Sequence, residues 1–171
     1  MTIRLRPHHM LCMLTYIGKG YSSSFVSNYN NIARRLSAGE DIEIIDGPDD
    51  ICAPLIAQQT KPHCLQSSVI KRDRQAAVAV GALLHSLQKT QQSIAENSEP
   101  VRSYDALIND KALDTALCSG VRIQLNAELL NKLRQRFASG EIRSACVGCQ
   151  WSGLCDQIAA KGYPAVLLRR F

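Results

Sequence analysis

Thr-Ile-Arg-Leu at 2–5 alternates polar and apolar, the period of a short strand. Pro7 then stands where a helix can begin, and the run that follows predicts a helix to about Tyr16, broken by Gly18 and Gly20. Ser22 to Ser24 offer caps for a second helix, whose stripe of Phe25, Tyr29, Ile32 and Leu36 has helical spacing and ends at Gly39. Ile42, Ile44 and Ile45 read as a strand closed by the turn Asp46-Gly47-Pro48-Asp49. From Cys52 to Ser67 no period holds, and Pro54 and Pro62 predict a loop. Ser67 or Ser68 can cap the next helix, in which Ala76 to Leu84 is apolar almost all round. Such a helix is buried on most sides, with Gly81 admitting a close neighbour.

Residues 91–101 are polar and predict a surface loop. Ser103 opens a helix with Leu107, Leu113, Ala116 and Leu117 inward, stopped by Gly120. Val121 to Leu125 alternates cleanly as a strand, and Asn126 caps a helix carrying Leu129, Leu130, Leu133 and Phe137 as far as Gly140. The sum is an α+β fold: a mostly helical single domain over 1–171 with two or three short strands and a cysteine-rich metal loop near the C-terminus. No internal repeat or low-complexity segment interrupts it.

The chain has 171 residues, 46% of them hydrophobic, enough for a real core without disulfides. No apolar run approaches the roughly 18 residues of a membrane span, so a soluble protein with no membrane partner is expected. Arg4 and Arg6 ahead of Met10 to Ile17 superficially resemble a secretion signal. Gly18, Lys19 and Gly20 follow without a small-residue cleavage pattern, so the segment reads as part of the mature fold. The expected location is the reducing cytoplasm, where seven cysteines serve as core thiols, metal ligands or catalytic thiols rather than disulfides.

The sharpest chemistry lies in Cys146-x2-Cys149-x5-Cys155, with Gly148 and Gly153 between the thiols. One zinc ion needs four ligands about 2.0–2.3 Å away, usually as two pairs. An iron–sulphur cluster of the [4Fe-4S] type spreads its thiolates over four irons, so three from one segment and a fourth from afar is natural. The cluster is the expected cofactor and zinc the alternative. Cys64 and Cys52 lie in irregular chain from which a remote ligand can be aimed. Cys64 is preferred because it precedes a helix start, whereas Asp46, Asp49 and Asp50 surround Cys52 with negative charge. Cys12, inside an apolar helical run, and Cys118, at a helix end, read as core. His85 reads as structural, and His8 and His9 as ligands, proton donors or structural groups.

Taken in order, Arg6-Pro-His-His-Met-Leu-Cys12, Gly18-Lys-Gly-Tyr21, Asp49-Asp-Ile-Cys52, His63-Cys64 and Cys146-x2-Cys-x-Trp-x3-Cys155 resemble a known series. It is that of a family of small bacterial and archaeal proteins of unknown function thought to bind iron–sulphur clusters. The resemblance covers most of the chain and implies metal binding, not a reaction. Relatives commonly carry a further cysteine where Leu55 stands here, so Cys52 and Cys64 do not complete a site of that pattern. The last ten residues of the series are also similar to the cluster staple of some DNA-processing nucleases. Those enzymes need an acidic metal site with a nearby lysine, and this chain has no Glu-x-Lys.

No dinucleotide fingerprint, phosphate loop or nucleophile elbow occurs. Cys146-x2-Cys149 follows a helix end, unlike a thioredoxin-type dithiol, and Gly18-Lys-Gly is a turn. Lys132, Arg134 and Arg136, with Arg143, and Lys71, Arg72 and Arg74 form two basic groups. At a net charge of only +5 they read as solvated faces or as counter-charge for a cluster. The expected function is an intracellular iron–sulphur protein in electron transfer, sensing or structural stapling, with a redox or protein partner. A zinc-stabilised module binding nucleic acid or protein is the alternative. Trp151 should shield the centre from water.

Overall fold

The computed structural model describes residues 2–95 and 115–170, with side chains for all of these but 89–95. Strand β1 (Thr2–Leu5) lies parallel to β2 (Asp41–Ile44), which lies antiparallel to β3 (Arg122–Ile123). In register, Ile3 faces Ile42 and Ile42 faces Ile123. Alternation decides which side chains are buried: Ile3, Leu5, Ile42 and Ile44 are fully enclosed, while Arg4 points outward. The fold is α+β and mostly helical, as its sequence pattern predicts.

Arg6 caps α1 (Pro7–Cys12) in extended conformation, with Pro7 in the first turn, and a 3-10 turn over Met13–Thr15 continues it. Ser22 Oγ accepts from the Phe25 amide and starts α2 (Ser23–Ser37). The predicted stripe of Phe25, Tyr29, Ile32 and Leu36 is buried there. Asn126 caps α5 (Ala127–Ala138) through the Leu129 amide, burying Leu130, Leu133 and Phe137.

Four expectations need correction. The segment 52–67 is not all loop, because α3 (Ala53–Gln58) starts at Pro54 in its first turn and a 3-10 turn spans His63–Leu65. Helix α4 (Ser67–Ala95) runs through 91–95, where the polar loop was expected to begin; a polar surface is no obstacle to a helix already long and nucleated. The rest of that loop, and the predicted helix from Ser103 as far as 114, lie outside the described residues. Strand β3 is shorter than 121–125. His85, read as structural, and Cys118, read as core, are both exposed.

Gly81 does admit a close neighbour. A Cβ there would stand 2.0 Å from the Thr115 carbonyl oxygen and 2.8 Å from the Leu117 nitrogen, both backbone. Gly81→Ala is therefore expected to destabilise by about 1–3 kcal/mol, read as a lower urea midpoint at unchanged slope. Wild-type stability in that variant would show that the 115–117 segment can move aside. Among the described residues, no helix is long and apolar enough to cross a membrane.

Candidate metal centre

The end of β1 is extended by two carboxylates rather than by a longer strand. Asp50 accepts from the Arg4 amide at 2.9 Å and pairs with its guanidinium at 2.8 Å. Asp49, fully buried, accepts from the Arg6 amide at 2.9 Å and His9 Nδ1 at 2.7 Å through one oxygen. Its other oxygen accepts from the Ile51 and Cys52 amides, both at 3.1 Å. Burial opposes charge on Asp49, but the His9 charge and these hydrogen bonds outweigh it and bring its pKa down to about 2.

Arg6 is the largest fully buried side chain. Its Nε and Nη2 grip Asp73 Oδ2 at 2.9 and 2.5 Å, and Nη1 donates to the Cys64 carbonyl at 2.9 Å. The other Asp73 oxygen meets His8 Nδ1 at 2.6 Å. Each histidine of the pair thus has a carboxylate on Nδ1, and the two rings are 4.3 Å apart. Burial and the neighbouring His9 lower the His8 pKa to about 4, so this imidazole is neutral at pH 7.

Six of the seven cysteines line one cavity of about 120 Å³, between α1, the 52–64 segment and the C-terminal thiols. They fall into two groups. Cys12 ends α1, Cys146 ends a 3-10 turn, Cys149 lies in the turn beyond, and Cys155 sits in α6 (Ser152–Ala160). The thiols of Cys12 and of this trio interact electrostatically, and burial followed by their mutual charge raises the Cys12 pKa well above normal. Thr15 Oγ1, one turn after Cys12, donates to Cys155 Sγ at 3.1 Å. Cys12 is thus a half-buried cavity residue rather than plain core, and Cys155 is helical rather than part of a loop.

Cys52 and Cys64 make the second group, adjoining at Arg6, whose Nη1 lies 3.9 Å from Cys52 Sγ and donates to the Cys64 carbonyl. They share one ionisation: Cys64 is lowered by the Cys52 thiol and the His9 and Arg6 charges, while Cys52 is raised by the Cys64 thiol, burial and Asp49. Sequence reasoning joined Cys64 to the C-terminal trio; it lines the same cavity, and the thiol that most affects its ionisation is Cys52. Among the described residues, His9, Asp49 and Cys52 are the trio whose ligand-type atoms gather within 4.8 Å.

Residues 20–103 match the model of a family described as protein of unknown function (DUF1284). The DUF1284 span contains Cys52, Cys64 and Asp73 and stops short of Cys146 to Cys155. No curated protein and no solved structure matches the chain.

Aromatic rings close the cavity. Trp151 Nε1 donates to Tyr21 Oη at 3.1 Å, and Tyr21 lies 5.7 Å from the Trp151 ring and 6.1 Å from His63. Deeper in, the buried Tyr29 hydroxyl lines the same space and has no hydrogen-bond partner among the described residues. The basic residues are largely occupied. Arg134 donates to the Leu168 carbonyl at 2.7 Å, Arg136 pairs with Glu141, and Arg72 donates to the Gly148 carbonyl. Arg143 pairs with Asp156; burial raises the Cys146 thiol, and the nearby Arg143 charge offsets part of that rise.

Proposed function

We propose that the protein is an iron–sulphur protein whose [4Fe-4S] cluster is held by Cys12, Cys146, Cys149 and Cys155. The observation that supports this most is the convergence of one N-terminal and three C-terminal thiols on one cavity. The surroundings suit an anionic sulphide-rich centre: the Arg143 charge lies near Cys146, Thr15 donates to Cys155, and the Tyr29 hydroxyl, without a partner among the described residues, lines the cavity. A tetrahedral zinc would draw its sulphurs to within roughly 4 Å of one another. These four are not gathered as tightly as the trio at His9, among the described residues. A cluster, whose thiolates sit on separate irons, tolerates the wider spread. Such a cluster supplies one-electron transfer or a covalent staple between chain segments, in the reducing cytoplasm and with a redox or protein partner.

The test is the colour and metal content of protein purified without oxygen. A brown sample with broad absorption near ~400 nm and about four irons per chain is expected. A colourless sample with zinc at the four thiols would overturn the reading in favour of a zinc-stabilised binding module.

Trp151 covers the mouth of this site, so Trp151→Ala is expected to shorten the lifetime of the cluster in air several-fold, followed as bleaching near ~400 nm. If bleaching is unchanged, the ring only packs α6 against Tyr21.

A further inference from the structure

Cys52, Cys64 and His9 remain outside that cluster, and all three line the cavity. His9, Asp49 and Cys52 gather within 4.8 Å, and Arg6 Nη1 reaches both Cys52 Sγ, at 3.9 Å, and the Cys64 carbonyl, at 2.9 Å. The four acceptor positions of Asp49 are already taken by the Arg6, Ile51 and Cys52 amides and by His9 Nδ1. Asp49 is therefore the carboxylate that fixes a histidine, not a ligand itself. Its bond to Nδ1 leaves Nε2 as the ring nitrogen for a metal, the arrangement found behind metal-bound histidines.

We propose that Cys52, Cys64 and His9 form a second, mononuclear site for a zinc-class divalent cation, with Asp49 orienting His9 and the fourth position open to the cavity. Sulphur and imidazole donors select zinc over magnesium or calcium. Two cysteines and one histidine with an open fourth place is a donor set of reactive rather than purely structural zinc. Binding is balanced by proton release: the two thiols lose two protons, and the two thiolate charges neutralise the cation. Arg6 supports the arrangement, donating to the Cys64 carbonyl and lying 3.9 Å from Cys52 Sγ, with Asp73 as its own counter-charge. The His8 ring lies 4.3 Å from that of His9 and is tied to Asp73.

The experiment uses the full chain carrying Cys146→Ser and Cys149→Ser, purified without oxygen and stripped with a chelator, then titrated with Co²⁺ and back-titrated with Zn²⁺. One cobalt per chain is expected, with tetrahedral bands and thiolate charge transfer from two sulphurs, displaced by zinc. Adding Cys52→Ser or Cys64→Ser should halve the charge transfer and weaken binding at least tenfold. His9→Gln should shift the tetrahedral bands, and Asp49→Asn should weaken binding about 10–100-fold with the band shape kept. An octahedral spectrum, or charge transfer indifferent to both Cys52→Ser and Cys64→Ser, overturns the proposal. Elemental analysis of the unsubstituted chain gives an independent reading: about one zinc per chain beyond any metal at the four-thiol site is expected. Its absence from zinc-replete protein also overturns the site. Neither readout depends on whether iron or zinc occupies the Cys12 group, so the two readings fail separately.

Discussion

Cys12→Ser is expected to remove the brown colour and most of the iron from protein purified without oxygen, whereas Cys64→Ser keeps both. Serine preserves size but gives a poor ligand for iron, so the loss marks the thiolate that was used. Cys12 interacts with Cys149, Cys155 and Cys146, and Thr15 ties the same turn to Cys155. Cys64 faces Cys52, His9 and Arg6 instead. Iron per chain should fall to well under half of the unsubstituted value for Cys12→Ser, with circular dichroism unchanged in shape. A full cluster in Cys12→Ser together with a lost one in Cys64→Ser would restore the assignment drawn from sequence spacing.

Asp49→Ala is expected to be the most destabilising single substitution near the site, by about 3–5 kcal/mol in urea unfolding. It strands the Arg6 and Ile51 amides and His9 Nδ1 at once, while the Cys52 amide keeps its bond to the Asp49 carbonyl. The carboxylate also gives stability a defined acid dependence. Its folded pKa is lowered from 3.8 to about 2, so its contribution is complete above pH ~4 and fades as pH falls through 2. The shift corresponds to about 2 kcal/mol. Unfolding measured from pH 5 to 2 should show this decline in the unsubstituted chain and a shallower one in Asp49→Asn. Equal slopes would mean that other groups carry the acid transition.

Elements whose pattern is local were legible in the sequence. The Ser22 and Asn126 caps, the Phe25–Leu36 stripe and the alternation at 2–5 and 42–44 each need only neighbours a few residues away. The site was legible as a set of cysteines but not as a partition. Helical burial made Cys12 look like core, because the 3.6-residue period says which face is internal, not whether that face meets solvent, protein or a cavity. Irregular spacing made Cys64 look free to adjust its backbone, while Arg6 fixes its carbonyl next to Cys52. Asp73 carried no signal at all. It is one charge on a mixed helix face, and its role exists only because Arg6 and His8, 67 and 65 residues away, fold onto it.

The bond between Thr15 and Cys155 joins residues 140 apart, and Leu167 donates to the Tyr16 carbonyl close by. During synthesis the first thiol emerges from the ribosome with nothing to meet, and the last of the other three arrives only as α6 is made. Closing so long a loop is slow and entropically opposed. Until then the nascent chain is unable to hold the cluster proposed here. Loading waits for the segment 146–155, and a chain interrupted before Cys146 would carry Cys12 as an unpartnered thiol for the proteolytic machinery to find.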